Sequence, residues 1–416
     1  MAPIAIVGGG PAGLCLGALL AKQNVPFTIY ELREEPQDAS LHIPSGMLDL
    51  HEESGLAALK ACGLLDQFAT HASECAEDTV VTDHTGEVMH SDVGNEGTRP
   101  EIARNSLVHL LRSALPKDGI RWNHKLRSVQ KLDSGLVALN FGDNGVHEHD
   151  FVVGADGAWS KVRSLVSDVK PHYGGINYNI LRINNASTKY PELAEFVGKG
   201  SAMILGKHNG LMTHRGVNGS IITYVCVKDD SETAISEKTT DLTPQQFQDS
   251  MSSDDKLFGQ FTGHPRALLS TASQEETEFS GDIAPPLKPL YMLPIGNSWT
   301  NVPGVTAIGD AAHLMMPWAG EGVNLAMADA LNLSEAIVQA YGEKGNLQKN
   351  LTPKVVEFEK EMFERSKEAA QETWTNCGIL FGEDGGRAFG ELMKSYGPPP
   401  EEEQKKQKDK KKKEEE

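Results

Sequence analysis

Cysteine is scarce in this chain. Its five cysteines, Cys15, Cys62, Cys75, Cys226 and Cys377, are odd in number and include no Cys-x-x-Cys pair, poor material for a disulfide framework or a structural zinc site. A reducing compartment is the simplest setting. Long apolar runs are also missing: the longest, around AGLCLGALLA, falls short of the roughly 18 to 20 residues that a spanning helix needs. No charged region precedes the first apolar stretch, PIAIVGGG, which reads as a buried strand entering a turn rather than as a secretory leader. A cytoplasmic location is therefore expected. Positive charge is in deficit. The formal net charge is −19, and the closing stretch from Glu401 to Glu416 carries seven Lys against seven acids, so the acidic surplus sits on the body. That argues against nucleic acid or an anionic membrane as a partner of the folded part. The cluster Lys410 to Lys413 reads as solvated disorder, because equal numbers of acids neutralise it.

What is present is glycine, and a clear order of patterns. At 416 residues the chain exceeds one ordinary domain, which suggests a large domain plus a smaller partner. Residues 3 to 31 read strand, glycine turn, helix, strand, a βαβ opening. DTVVTDHTGEVMHSD reads as a hairpin, and residues 120 to 153 have the turn spacing of a meander. From about residue 172 the chain turns strand-rich, through SAMILG, GLMTHRG and SIITYVCV, with a helix beginning at Thr-Pro in TPQQFQDSM. A buried strand, GVTAIGDAAH, then returns to the first domain, and helices follow from about Gly322 and at TPKVVEFEKEMFERSKEAAQETW. The expected fold is α/β. A Rossmann-like domain with a mainly parallel sheet takes residues 1–171 and 297–345, and a smaller domain with an antiparallel or mixed sheet takes 172–296. C-terminal helices take 346–395, and a charged, disordered tail takes 396–416. In the second of those helices, opening at Thr352, Val355, Phe358 and Met362 recur at helical spacing and are expected to pack on both domains.

Three stretches carry chemistry. The first holds Gly8, Gly10 and Gly13 in GGGPAG, with Glu31 closing the next strand. Gly-x-Gly-x-x-Gly is weak alone in a chain with 41 glycines, but here it follows a strand and opens a helix. Glycines there let the backbone approach a pyrophosphate, the helix start offers free N–H groups, and the carboxylate accepts two ribose hydroxyls. The second stretch is VVGADGAWSKVR, residues 152 to 163. Asp156 in it reads either as a helix N-cap or as an acid that fixes the loop beside a dinucleotide. The third is IGDAAHLMMPWAGEGVN, residues 308 to 324. It delivers Asp310 to the C-terminal edge of a parallel strand, where open α/β sheets bind ligands. Pro317 bends the chain, and Gly320 and Gly322 bare amides where a helix begins. A helix start favours a neighbouring anion by about 0.3 to 2 kcal/mol.

Together these stretches resemble the three fingerprints of the FAD-dependent class A aromatic-ring hydroxylases, the p-hydroxybenzoate hydroxylase-like monooxygenases. Order and spacing match over about 390 residues. Within that family the chain is most similar to the tetracycline-inactivating flavin monooxygenases, through GMLDLHEESGLAALKACGL and RNSLVHLL. The resemblance implies an NAD(P)H- and O2-consuming FAD monooxygenase, working through a C4a-hydroperoxyflavin on an aromatic or polyketide-like small molecule, as a monomer or weak dimer. It implies that Glu31, with Arg33 close by, binds the adenosine ribose, and that Arg104 lies along the ribityl and phosphate part. Asp49 would approach from the facing loop, Asp156 would serve the dinucleotide and NAD(P)H, and Asp310 would hold ribityl hydroxyls. Pro317 and the backbone from Gly320 through Gly322 and Val323 to Asn324 would sit against the isoalloxazine ring. Met315, Met316 and Trp318 are candidates for the substrate-pocket wall, with ordinary packing as the competing reading.

Two departures from the tetracycline enzymes stand out. Their nicotinamide-binding arginine before LDLH is replaced by His42, and two polar substrate anchors become Ser201 and Ile222. A more apolar aromatic or polyketide substrate is expected, with no side-chain nucleophile needed because the cofactor does the hard chemistry. No catalytic base is singled out among the 14 histidines; His313 reads as a structural, hydrogen-bonded residue. Flavin halogenases need a Trp-x-Trp pair that the five tryptophans do not form. A Baeyer-Villiger or epoxidising monooxygenase on the same scaffold, or a flavin-binding sensor or sequestering protein without turnover, are the alternatives.

Overall fold

The computed structural model describes residues 3–36, 43–72, 76, 78–92 and 100–396. His42, Cys75 and the charged tail lie outside these residues. At the centre of the first domain is a five-stranded sheet ordered Val305–Ala307, Phe151–Gly154, Ile4–Val7, Phe27–Tyr30 and Ile120–Arg121, every neighbouring pair parallel. Ile4–Val7 is buried along its whole length. A strand covered on both faces needs such an unbroken apolar run.

One cover is helical. The helix Pro11–Lys22, with Pro at its start, buries Ala12 through Leu20 against the sheet and against the helix Gly322–Gly342. The other cover is a three-stranded antiparallel sheet of Ser128–Lys131, Val137–Asn140 and Val146–His149. Its Val137 and Leu139, with Phe141, close over Val7, Tyr30 and Val152.

The second sheet has seven strands, in the order Lys288–Met292, His172–Ile183, Ser220–Lys228, Asn209–Gly216, Ser201–Leu205, Thr79–Asp83 and Val88–Asp92. Period-two alternation gives it two distinct faces. Ile221, Val225 and Val227 point into a core shared with the helices Pro191–Val197, Pro244–Ser253 and Gly263–Glu275. Met212, Cys226 and Ile176 point the other way, toward Met316 and toward the helices Leu347–Leu380 and Gly385–Tyr396. The Thr243–Gln246 capping box fixes one outer helix where the Thr-Pro signal places it.

Two features differ from the sequence reading. Thr79–Asp83 and Val88–Asp92 do form a hairpin, but it joins the second sheet, because Thr79–Asp83 pairs in parallel with Ser201–Leu205. That pairing joins segments more than a hundred residues apart, so no local pattern reveals it. The long helix also starts earlier than Thr352, at Leu347. Asn346 caps it by accepting from the Lys349 amide, and Leu351 is buried in the first core. Pro353 thus lies inside the helix, where it forgoes one backbone hydrogen bond. No helix among the described residues is long and apolar enough to cross a membrane.

Candidate functional site at the edge of the parallel sheet

The three motif loops meet at the C-terminal edge of the parallel sheet. Gly8 has φ +116° and lies so close to the second loop that a Cβ would collide with the Ala155 carbonyl oxygen. Gly13 is pressed onto the Gly8 carbonyl in the same way, which brings the helix start down onto the strand end. Gly10 is different: a Cβ there would meet nothing within 4 Å. Its open side flanks the first turn of Pro11–Lys22, which has no side-chain cap. The third loop closes the ring of contacts. A Cβ at Gly309 would lie 3.3 Å from that of Ala12, the Ile308 amide donates to the Gly154 carbonyl at 2.8 Å, and the Arg163 guanidinium donates to Ala311 O at 2.9 Å.

The acids at this edge fall into two groups. Glu31 is buried, its two oxygens accepting from the amides of Gly9 at 2.6 Å and Arg33 at 2.9 Å; each oxygen keeps a second lone pair for a ligand hydroxyl. The Arg33 side chain is exposed beside it. Asp156 is engaged by its own loop, accepting from Ser160 Oγ at 2.5 Å and from the Lys161 and Val162 amides at 2.8 and 3.3 Å. Burial raises its pKa, and those bonds oppose the rise. Asp310 is exposed at the start of the short helix Asp310–His313, and its carboxylate accepts no hydrogen bond from the described residues.

Behind Asp310 lies a polar cluster of which the sequence reading named only His313, as a structural, hydrogen-bonded residue. Asp329 is fully buried and accepts from His313 Nε2 at 2.6 Å, the Gly309 amide at 3.0 Å and Arg365 at 2.9 Å. Burial pulls the His313 pKa down, but Asp329 outweighs it and the net shift is upward. For Asp329, burial pushes up and His313, the Gly309 amide and Arg365 bring it below the ordinary carboxylate range. Both shifts favour the charged forms, and the bond to the Gly309 amide pins that turn. A lone acid within the apolar run LAMADALNL is the signal that finds it, since such residues are buried only when paired.

Asp49 and the third loop are tied together by Asn324. Its side-chain amide donates to Asp49 O at 3.0 Å, while its oxygen accepts from the His51 amide at 2.9 Å and Ser54 Oγ at 3.2 Å. Asn324 is fully buried, so its part is to hold these loops together rather than to meet a ligand. Gly320 sits against the Asp49 carboxylate, Val323 packs on the first core, and Gly320, Gly322 and Pro317 are exposed. Arg104 opens the helix Arg104–Ser113, its amide donating to Gly46 O at 3.0 Å and its exposed side chain charging the region of Tyr178 and Tyr224.

Met316 is buried in the contact between the domains, its sulfur beside Gly174. Met315 and Trp318 are half-buried, and Trp318 stands edge-on to Phe381 with ring centroids 5.0 Å apart. Thr373 and Asn376 hold the Trp318 backbone to the long helix. Ser201 and Ile222 prove to be the cross-strand neighbours of a histidine that the sequence did not single out, His214. Two surface grooves of about 440 and 760 Å³ lie elsewhere, and no residue of the motif loops lines either.

Comparisons with known proteins bear on the fold and the family. Klebsiella pneumoniae HpxO, solved with FAD and uric acid, shares the fold with a TM-score of 0.69 at 17% identity, over 92% of this chain and 89% of that one. Tetracycline destructase Tet(55) does so with a TM-score of 0.65 at 15% identity, over 92% and 91%. A sequence profile described as an FAD binding domain matches residues 1–259 and 302–351. Monooxygenase penA of Penicillium thymicola is 33% identical over 94% of this chain and 98% of its own length. A profile that spans most of the sequence and a relative matched end to end show that the chain belongs to the FAD-binding monooxygenases.

Proposed function

We propose that the chain uses NADPH or NADH and O2 to hydroxylate an aromatic or polyketide-like small molecule. The observation that carries this reading is the placing of the open carboxylate of Asp310 and the uncapped helix starts along one edge, next to a second sheet that presents partly open side chains. That donor set suits FAD. Amides at the start of Pro11–Lys22, beside the open flank of Gly10, would take the pyrophosphate. Glu31 would accept ribose hydroxyls and Asp310 those of the ribityl chain, with Arg33, Arg104 and Asp49 around them. The uncapped start of Gly322–Gly342 would face the electron-rich edge of the ring.

When bound, FAD supplies the redox chemistry, accepting hydride from the nicotinamide and activating O2. The protein's part is binding, orientation and dryness. Asn324 fixes the Asp49 loop to the third motif, and the Asp329 cluster keeps the Gly309 turn in place. Met316 and Trp318 cover the inner side against water.

Purified protein incubated with FAD tests this directly. Consumption of NADPH or NADH is to be measured with a panel of phenols and polyketides, and products by mass. Oxygenated product with substrate-stimulated consumption is the expected result. Bound flavin with no stimulated consumption would mean a binding role without turnover.

A further inference from the structure

The inner face of the second sheet is mainly apolar. Ile222, Met212, Cys226, Val81 and Met316 are buried there, yet His214 and Tyr224 stand side by side among them, edge to face with ring centroids 5.9 Å apart. Both keep part of their surface open although burial dominates their electrostatics. The pair also lies close to the loop that carries Asp49. The Tyr224 hydroxyl abuts Gly46, just before strand Met47–Asp49, and the Asp49 carboxylate acts on His214 while lying against Gly320 of the third motif.

One ring nitrogen of His214 is engaged: Nδ1 lies 3.0 Å from Ser201 Oγ. Nε2 bonds to nothing among the described residues, and the Tyr224 hydroxyl likewise has no hydrogen-bond partner among them. The Ser201 hydroxyl can take a proton from Nδ1 or give one to it; in the tautomer that donates to Ser201, Nε2 is a bare acceptor. Burial holds the His214 pKa down to about 4, with Asp49 opposing, so the imidazole is neutral at physiological pH. Burial also takes Tyr224 up to about 12, so its hydroxyl remains a donor. An acceptor and a donor set together on an apolar wall suit a hydroxyl on a flat ring, which gives its hydrogen to one and receives a hydrogen at its oxygen from the other.

We infer that His214 and Tyr224 form the polar end of the substrate site and select a hydroxyarene, or the enol of a polyketide ring, by its O–H. Nε2 of His214 accepts that hydrogen, Ser201 holds the imidazole tautomer, and the apolar remainder of the face receives the ring. This assignment rests on the proposed function and narrows it to a substrate class. It makes His214 and Tyr224 substrate-positioning residues.

The test uses FAD-loaded protein and three hydroxyarenes, phenol, 2-naphthol and 4-hydroxyquinoline, each beside its methyl ether. Binding is read from the change in flavin absorbance, and turnover from stimulated NADPH or NADH oxidation. The hydroxyl compounds bind about tenfold or more tighter than the ethers in the parent protein, since the ether leaves Nε2 unmatched. In His214→Phe the preference falls to about twofold with FAD content unchanged, and His214→Gln, which keeps an acceptor, restores most of it. Ser201→Ala weakens the preference without abolishing it and serves as the second variant if His214→Phe folds poorly. An undiminished preference in His214→Phe overturns the inference and leaves the proposed function standing. A parent protein that holds FAD but answers to none of the six compounds overturns it from below, by removing the ring-substrate reading itself.

Discussion

Along the edge of the parallel sheet the outward-facing polar groups are mainly backbone: the helix-start amides beside Gly10 and at Gly322, with carboxylates set among them. The inner face of the second sheet instead presents side chains, Ser201, His214 and Tyr224, on an apolar ground. Two deep histidines mark the contrast. His313 sits against Asp329 and its pKa is raised, whereas for His214 burial outweighs the Asp49 carboxylate and its pKa falls to about 4. Backbone positions tolerate a cofactor of one fixed shape; side chains can be exchanged as substrates differ. A cofactor edge built from backbone should therefore fail through geometry, and the opposite face through chemistry.

The largest effect expected on the cofactor edge comes from glycines that differ only in what lies beside them. Gly13→Ala drives a methyl into the Gly8 carbonyl, which as backbone cannot swing aside, so this variant is expected to be insoluble or to purify without FAD. Gly10→Ala sets its methyl in open space, at φ −83° and ψ −179°, a conformation any residue adopts. Its apoprotein should melt as the parent does, while FAD affinity falls about tenfold or more, from about 1.4 kcal/mol of lost approach. Flavin-to-protein absorbance ratios and apoprotein melting separate the two. Equal behaviour of both variants would break the comparison.

Next is the buried cluster behind the Gly309 turn. Asp329→Asn leaves His313 and Arg365 facing a neutral amide, and removing one partner of a buried pair costs about 3–5 kcal/mol, to be read by denaturant unfolding. The pH dependence has two arms. His313 has a folded pKa above its ordinary 6.5, so its contribution is full below that value and is lost as pH rises through the folded pKa. Asp329 is shifted below its ordinary 3.8, so its contribution is full above that value and is lost as pH falls through the folded pKa. Melting temperature should therefore fall on both sides of a central window, and the alkaline fall should shrink in Asp329→Asn. His214, whose pKa is lowered from 6.5 to about 4, adds a loss of stability of its own as pH falls from about 6.5 to about 4, on the acid side of the window.

The same divide explains what could be read from the sequence. The βαβ opening and the glycine turn are local, and buried parallel strands write themselves as unbroken apolar runs such as Ile4–Val7. Asp310 and Gly320 follow from a strand, a bend and a helix start in a row. His214 was not legible: nothing near it in the chain says that Ser201 and Ile222 flank it across two strands. Nor does the stretch Thr79–Asp83 announce its distant parallel partner. The helix start was misplaced for another reason, a sound local signal at Thr-Pro overridden by the burial of Leu351. Asp329 could have been found by asking why an acid interrupts an apolar helix.

The smallest effects should come from the two aspartates at the ends of neighbouring strands. Asp156 already accepts three hydrogen bonds from its own loop, so Asp156→Ala removes a cap and costs about 0.5–2 kcal/mol of stability. Asp310 accepts none from the described residues, so Asp310→Ala should leave apoprotein stability within about 0.5 kcal/mol of the parent and act on FAD affinity instead. The lost bonds there run from neutral hydroxyls to a charged acceptor, worth about 1.5–3 kcal/mol in a sheltered site. Because water reaches the exposed carboxylate in the free protein, the lower part of that range applies, roughly a tenfold weakening. If instead Asp156→Ala weakens FAD and Asp310→Ala lowers apoprotein melting, then engagement by the loop does not mark the structural acid, and the second motif rather than the third holds the cofactor's sugar chain.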